Sequence, residues 1–360
     1  MASGEVFFLK IAAISRLQCP HHIDHLAPLC AAFSAEFLSS EKEEIALIKQ
    51  SYPDIFCRYV APHELGPFYL TRNVDIAIHS FPWPKKLLHA HPFAKKSALR
   101  LLFTPHGYSD KPSACSTWQD YQHNALTLIY GPKMQKELQE EGIDKNLFFM
   151  SNLRYLFYQK HQAFFDIKAA KFFSKIDKKK PLLLFAPSWS VGSFPSSLHS
   201  LESFLFRYAA KEFSILIKLH PWQKKKDISQ VYRLIEKSKD HPSVTVIDGC
   251  TPTYPLLQKA TCFLGDASSL GYDFLLLDKP LFFYFPPEIS LEKWPLHRCG
   301  QRLFLHNPKE AVRLLLDYEK ETIEKRAIRK KTAEEVFGTK TSFDEIKKTL
   351  QHQIKEVFYR

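Results

Sequence analysis

A histidine at position 106 is the first side chain of this 360-residue sequence that is well placed for chemistry. It follows an apolar, strand-like run and precedes Gly107, so the backbone beside the imidazole can be approached closely by a ligand. Such a histidine can act as a general base on a hydroxyl group. A turn histidine bonded to the backbone is the alternative interpretation, and the spacing alone does not separate the two.

Two further motifs follow strand-like runs in the second half of the chain. Ser188 and Trp189 offer a hydroxyl and a flat aromatic ring that can line a nucleotide, although a core tryptophan would look the same. Lys218 and His220 share one side of their strand by its period of two, and Pro221 ends the strand. Two such side chains suit a phosphate, and a solvated strand end is the alternative.

The most specific motif is the polar turn that follows the strand-like run 262–264. Ser268 and Ser269 can cap the helical pattern that follows, which leaves the first backbone N–H groups aimed at an anion such as a pyrophosphate. Asp266 lies in the same turn, and Asp273 lies one helical turn further on, within reach of ribose or donor hydroxyls. Because caps are common, an ordinary capped helix is the alternative.

These motifs require strands that end beside one another. Short apolar runs alternate with helical patterns along the whole chain, which is typical of parallel α/β units, and such sheets bind ligands at the carboxyl ends of their strands. The predicted strands are 6–14, 55–60, 74–79, 101–104, 126–130 and 146–151 in the first half, and 182–186, 214–219, 244–247, 262–264, 281–285 and 303–305 in the second.

Two domains are expected, because 360 residues exceed the usual size of one hydrophobic core. A charged tract that ends at Pro181 marks the boundary between them. The predicted segments are a Rossmann-like domain over 1–152, a connecting helix or linker over 153–180, a second Rossmann-like domain over 181–306 and a helical segment over 307–360.

The charge and the cysteines limit the class of protein. A net charge of +12 favours an anionic partner: a nucleotide phosphate, an anionic membrane surface or nucleic acid. No nucleic-acid-binding motif is present, so nucleic acid is not expected. Seven scattered cysteines, no signal-peptide pattern and no long apolar run predict a cytoplasmic protein. The basic aromatic stretch 154–180 either touches an anionic bilayer or packs against the domains.

A cluster of histidines and cysteines near the start suggests a metal site at first sight. Cys19, His21, His22, His25 and Cys30 lie close together, but their spacing matches no zinc finger, and we expect no metal or other cofactor. We expect these residues to form the entrance to the first helix instead.

Taken together, the motifs resemble those of the CDP-glycerol glycerophosphotransferases of teichoic-acid synthesis. The resemblance runs in order over residues 98–286. It is carried by His106-Gly107, Ala186-Pro187-Ser188-Trp189, Lys218-Leu219-His220-Pro221, the turn 266–273 and Lys279-Pro280-Leu281-Phe282-Phe283-Tyr284.

The resemblance implies a GT-B fold, with two Rossmann-like domains whose parallel sheets face a central cleft, followed by C-terminal helices. It also implies metal-independent transfer of phosphoglycerol from CDP-glycerol to a free or lipid-linked hydroxyl acceptor at the inner face of the membrane. His106 and His220 would be the catalytic residues, with His106 as the base, and Gly107, Lys111 and His22 would lie on the acceptor side. The donor would be held by His220 together with Ser188, Trp189, Lys218, Asp266, Ser268, Ser269 and Asp273.

The sequence departs from the family's motifs at several positions. Ala267 replaces a tyrosine, Ser188 a threonine and Ser190 an arginine, and the residues after His106-Gly107 are also different. A nucleotide-sugar-dependent glycosyltransferase is therefore the enzymatic alternative. A non-catalytic nucleotide- or lipid-binding module is the alternative from another class. The sequence does not indicate an oligomeric state.

Overall fold

Two parallel β-sheets organise the chain, in a computed structural model that describes residues 9–15, 20–81, 98–110, 121–122, 124–174, 176–190, 196–249, 251–285, 294–320 and 323–358. The chain divides into two compact units. Unit 1 comprises Met1–His106, Cys115–Lys160 and Thr339–Arg360, and unit 2 comprises Gly107–Ala114 and His161–Gly338.

The sheet of unit 1 has seven strands in the order β3-β2-β1-β4-β5-β6-β7, and every neighbouring pair is parallel. The strands are β1 Ile11–Ser15, β2 Glu36–Ser39, β3 Cys57–Tyr59, β4 Ile76–His79, β5 Arg100–Phe103, β6 Leu126–Ile129 and β7 Leu147–Phe149. The helices are Ile23–Phe33, Lys42–Ser51, Pro67–Asn73, Pro132–Glu140, Leu153–Lys160 and Phe343–Phe358. All of β4 and β6 is buried, as expected for parallel strands covered on both faces.

The sheet of unit 2 has six parallel strands in the order β10-β9-β8-β11-β12-β13. The strands are β8 Leu182–Ala186, β9 Ser214–Lys218, β10 Val244–Ile247, β11 Cys262–Gly265, β12 Leu281–Phe283 and β13 Gln301–Arg302. The helices are Gln162–Ala169, Leu198–Phe204, Pro221–Lys226, Ile228–Lys239, Tyr254–Lys259, Ser269–Leu275, Pro295–Arg298, Pro308–Leu316 and Ile323–Phe337. A π-helical turn, Leu205–Ala209, follows the second of these helices.

Both sheets have the Rossmann order, in which the third, second and first strands lie on one side and the fourth to sixth on the other. The strand order therefore reverses between β1 and β4 in unit 1, and between β8 and β11 in unit 2. Ligands of such sheets bind outside the carboxyl ends of the strands at this reversal, the switch point. The predicted α/β class with two Rossmann-like parallel sheets is confirmed.

Several predicted elements differ from the structure. The sequence prediction missed β2, because only Phe37 and Leu38 in it are apolar. The predicted strand 303–305 begins two residues too late, since β13 is Gln301–Arg302. The first predicted strand, 6–14, lies partly outside the described residues. The described helices include none that is long and apolar enough to cross a membrane.

The domain boundaries differ from the predicted ones at two places. The predicted linker is divided, because Leu153–Lys160 belongs to unit 1 and Gln162–Ala169 to unit 2. The predicted C-terminal segment is divided too, because its last helix, Phe343–Phe358, belongs to unit 1. The apolar face of that helix explains the difference: Leu350 and Ile354 are buried, and the Gln351 side chain donates to the Ala32 carbonyl at 2.9 Å.

Candidate functional site

The switch point of unit 2 brings together two of the predicted motifs. Ala186 ends β8 and pairs with Gly265, which ends β11, so the residues that follow them begin side by side. Asp266 is 1% exposed, and its carboxylate accepts hydrogen bonds from the Ser188 N–H at 2.9 Å. It also accepts from the N–H and the hydroxyl of Ser197, at 3.0 and 2.7 Å. Asp266 therefore holds two loops of the protein at this edge of the sheet.

Ser188 is buried, and Gln223 fixes the backbone around it. The Gln223 amide nitrogen donates to the Ser188 carbonyl at 3.0 Å and to the Ser196 hydroxyl at 2.9 Å. The Ser188 hydroxyl is buried and has no hydrogen-bond partner within the described part of the chain. Sequence reasoning missed Gln223, although its place in the first turn of a helix after the Lys218–His220 motif was a usable signal.

His220 caps the helix Pro221–Lys226, and this bond selects the tautomer of its neutral ring. Pro221 has no N–H, and His220 Nδ1 accepts the N–H of Trp222 at 3.1 Å. In the neutral imidazole the proton is then on Nε2, which is a donor. His220 is thus oriented so that it can donate a hydrogen bond to a phosphate oxygen.

Aromatic and cationic side chains surround His220. The Trp189 ring lies 6.2 Å from the His220 ring and stacks on Trp222 at 5.6 Å between centroids. Lys226 lies over Trp189 at 5.6 Å, and Lys225 over Trp222 at 4.9 Å. Lys218, at the end of β9, is buried. This part of unit 2 offers flat rings and positive charge, which suit a nucleotide.

The helix Ser269–Leu275 begins as predicted, with Ser268 as its cap. The Ser268 hydroxyl accepts the Leu270 N–H at 3.4 Å, and the Ser268 backbone is extended. Asp273 lies on the buried side of this helix, where its carboxylate accepts the Tyr254 hydroxyl at 3.0 Å. The structure therefore brings Ser268 and Ser269 to the switch point, while Asp273 bonds within the core.

The loop after His106 belongs to unit 2, where it lies against this helix. Gly107 has φ +121°, and a Cβ at this position would lie 3.0 Å from the Ser269 hydroxyl oxygen. The Ser109 hydroxyl donates to the Ala267 carbonyl at 3.4 Å. These contacts place Gly107 beside the predicted phosphate site, and only glycine is free of strain there. Lys111 lies outside the described residues.

A tyrosine of the same helix anchors the end of that loop. The Tyr272 hydroxyl donates to Asp110 at 2.5 Å, and the Leu296 N–H donates to the other carboxylate oxygen at 3.3 Å. The Tyr108 ring contacts the Tyr272 ring edge-on at 4.8 Å. Burial, and then the Asp110 charge, raise the pKa of Tyr272, so its hydroxyl remains a donor. Sequence reasoning missed this anchor.

The switch point of unit 1 carries histidines. His21 and His22 follow β1, and His106 follows β5. The His22 and His106 rings stack at 4.2 Å, and His21 lies 4.5 Å from His22 and 5.8 Å from His106. Ser80, which follows β4, contacts His22 Nδ1 through its hydroxyl at 2.7 Å. His22 and His106, predicted as acceptor-side residue and base, are therefore neighbours.

Burial favours the neutral imidazole of His106 and of His25. It lowers the pKa of His106 to about 4, and the positive charge of Arg154 acts in the same direction, while a hydrogen bond to the Ser80 backbone opposes it. Burial also lowers the pKa of His25, whose ring lies 6.4 Å from that of His106. At neutral pH His106 therefore carries a lone pair, as a general base must.

Comparisons with solved structures agree with this fold. The wall teichoic acid polymerase TagF matches with a TM-score of 0.65 at 12% identity, over 96% of this chain and 89% of that one. A glycosyltransferase from Rickettsia africae matches with a TM-score of 0.54 at 12% identity, over 97% and 98%. Anabaena HepE, solved in complex with UDP and glucose, matches with a TM-score of 0.56 at 10% identity, over 97% and 100%.

Comparisons of sequence match a smaller part of the chain. No curated protein matches the chain significantly. Residues 156–290 match the family model "CDP-Glycerol:Poly(glycerophosphate) glycerophosphotransferase". This stretch covers most of unit 2 and includes all the motifs of the second half of the chain, so the match confirms the resemblance over this part of the chain.

Proposed function

We propose that this protein is a transferase that moves a phosphoglycerol-type group from a CDP-activated donor to a hydroxyl acceptor in cell-envelope polymer or glycolipid synthesis. One observation carries the proposal: three strand ends of unit 2 bring Ser188, His220 and Ser268 to one edge of its sheet, within the stretch that matches the glycerophosphotransferase model. The TagF fold similarity supports the same class of reaction.

The donor's pyrophosphate binds at the start of the helix Ser269–Leu275. There the first backbone N–H groups and the helix dipole stabilise negative charge. His220 donates its Nε2–H from the end of a neighbouring strand, and Lys218 adds positive charge. These groups neutralise the phosphates without a metal ion, and phosphoryl transfer needs mainly such positioning and charge stabilisation. Trp189 lines the nucleotide.

His106 removes the proton from the acceptor hydroxyl. Its depressed pKa leaves the imidazole unprotonated at neutral pH, and its place at the end of β5 directly precedes the loop that lies against Ser269. Loss of a general base costs about 10²- to 10⁴-fold in rate. In His106→Ala we therefore expect turnover to fall by that factor while the affinity for the donor stays unchanged. An unchanged rate would remove His106 from the mechanism.

The phosphate site is tested by Ser269→Asp. A carboxylate at the helix start repels a pyrophosphate, so donor affinity should fall strongly while the melting temperature stays close to the parent's. Ser229→Asp is the matched control, because Ser229 also lies in the first turn of a unit 2 helix but is exposed. A folded Ser269→Asp variant that binds nucleotide as the parent does places the phosphate elsewhere.

A nucleotide-sugar-dependent glycosyltransferase is the second candidate. Ser190 stands where the glycerophosphotransferases have an arginine, and its hydroxyl accepts the Ser196 N–H at 3.0 Å instead of offering a cation. The fold also matches HepE, which binds UDP-glucose. Thermal shift with a nucleotide panel separates the candidates: stabilisation by CMP or CDP supports the glycerophosphotransferase, and stabilisation by UDP supports the glycosyltransferase.

A further inference from the structure

Three imidazoles converge at the switch point of unit 1. One nitrogen atom each from His21, His22 and His106 lies within 4.8 Å of the others, and His22 is buried while the other two are half-buried. The group includes neither His25 nor Cys30, so it is not the set of ligands that sequence spacing suggested. Its members come from the ends of two different strands, which is where an open parallel sheet binds its ligand.

The spacing of the nitrogens is wider than that of an occupied zinc site. Zinc bound by imidazoles has Zn–N distances of about 2.0–2.1 Å in tetrahedral geometry, which separates the nitrogens by about 3.4 Å. The three nitrogens lie within 4.8 Å of one another, so the rings must move closer together when an ion binds. Three protein ligands leave a fourth position open for water or a hydroxyl.

A single residue orients two of the rings, as the outer partners of metal-binding histidines do. The Ser80 hydroxyl lies 2.7 Å from His22 Nδ1, and the Ser80 backbone bonds to the His106 ring. In the tautomer that donates Nδ1–H to Ser80, His22 presents the lone pair of Nε2. The nearby positive charge of Arg154 is offset by Asp24, with which it forms an ion pair at 3.1 Å.

We propose that His21, His22 and His106 bind one zinc-class divalent ion, oriented by Ser80. Neutral imidazoles select borderline ions such as Zn²⁺ or Co²⁺ over Mg²⁺ and Ca²⁺, which prefer oxygen ligands. The bound ion takes the lone pair of His106. On the function proposed above, which needs that lone pair for the acceptor hydroxyl, zinc therefore inhibits transfer.

Calorimetric titration of the EDTA-treated, dialysed full chain with Zn²⁺ tests the site. We expect one ion per chain, no binding of Mg²⁺ in the same range, and the visible bands of tetrahedral Co²⁺ when cobalt replaces zinc. His21→Gln and His22→Gln should abolish this binding, and Ser80→Ala should weaken it about 10- to 100-fold. His63→Gln, an exposed histidine of the same unit, is the matched control and should bind as the parent does.

The outcomes separate this site from the proposed function. Absence of stoichiometric zinc binding by the parent, or binding that survives in folded His21→Gln and His22→Gln, overturns the site and leaves the transfer proposal untouched. If a ligand variant does not fold, the Co²⁺ spectrum of the parent and the Ser80→Ala variant decide. Stoichiometric binding that leaves turnover unchanged overturns the inhibitory part and removes His106 as the base, while the metal site stands.

Discussion

The buried carboxylate of Asp266 is the most sensitive point of the unit 2 site. It receives the N–H of Ser188 and both the N–H and the hydroxyl of Ser197, from residues that lie 78 and 69 positions away in the sequence. Asp266→Asn keeps the shape but replaces one acceptor oxygen with an NH₂ group, which meets N–H donors instead of accepting from them.

The magnitude follows from the bonds lost. Hydrogen bonds to a charged group contribute about 1.5–3 kcal/mol each, and a buried N–H left without a partner costs about 1–3 kcal/mol. The asparagine oxygen, in the place of the oxygen that accepts from Ser197, retains those bonds and the longer branch of the Ser188 N–H bond, at 3.1 Å. The shorter branch, at 2.9 Å, and the charge assistance are lost, and the new NH₂ group faces the Ser188 N–H. We expect the free energy of unfolding of unit 2 to fall by about 2–4 kcal/mol, with a loss of order around Ser188 and Trp189.

Urea unfolding followed by tryptophan fluorescence measures this change. Ser197→Ala removes one of the donors and should cost about 1 kcal/mol. Asp240→Asn, at an exposed helix end of unit 2, is the control and should stay within about 0.5 kcal/mol of the parent. An Asp266→Asn variant with the parent's stability but without donor affinity would refute the structural role, because the carboxylate would then act on the donor itself.

Four further predictions follow from other parts of the structure. Gly107→Ala places a methyl group against Ser269 on a backbone with φ of +121°. The free energy of unfolding in urea should therefore fall by about 1–3 kcal/mol, and turnover should fall too. Burial lowers the pKa of His297 from 6.5 to about 4, so the unfolded chain takes up the proton first. Protonation of His297 in the unfolded chain should thus lower the free energy of unfolding by about 3 kcal/mol between pH 6.5 and pH 4. Denaturation measured at both pH values should show that this decrease in the free energy of unfolding is smaller in His297→Gln. Turnover should survive EDTA; full loss that Mg²⁺ or Mn²⁺ restores would contradict the metal-independent mechanism. Lys168 and Lys171 lie over the half-buried rings of Phe164 and Phe172 and should bind anionic liposomes at low salt, and flotation should be lost in the double glutamate variant.

The sheets could be predicted from sequence because their strands carry their own signal. β8 and β9 are continuous apolar runs that end at a proline-containing polar motif, and the structure reproduces the first without a shift in its bounds. The strand β2 could not be predicted in this way. β2 is defined by its pairing with β1 on one side and β3 on the other, which local periodicity does not reveal.

The sequence could not show whether a carboxylate of the site faces a ligand or bonds within the protein. Asp266 and Asp273 occupy positions from which either a ligand or the protein is within reach. Their partners, Ser197 and Tyr254, carry no pattern that links them to these aspartates, since the contacts form only when distant segments pack. Period and spacing therefore predict which residues reach the strand ends, and the packing decides which of them face outward.

The altered loop after His106-Gly107 is held against the turn and helix that form the predicted phosphate site. Ser109 donates to the carbonyl of Ala267, and Asp110 accepts from Tyr272. These two bonds anchor the loop to the turn before the helix Ser269–Leu275 and to the helix itself. Such a loop holds Gly107 in a conformation that only glycine adopts freely, directly against Ser269. This close approach fixes the loop after His106 beside the start of the helix Ser269–Leu275, where we propose that the donor's phosphates bind.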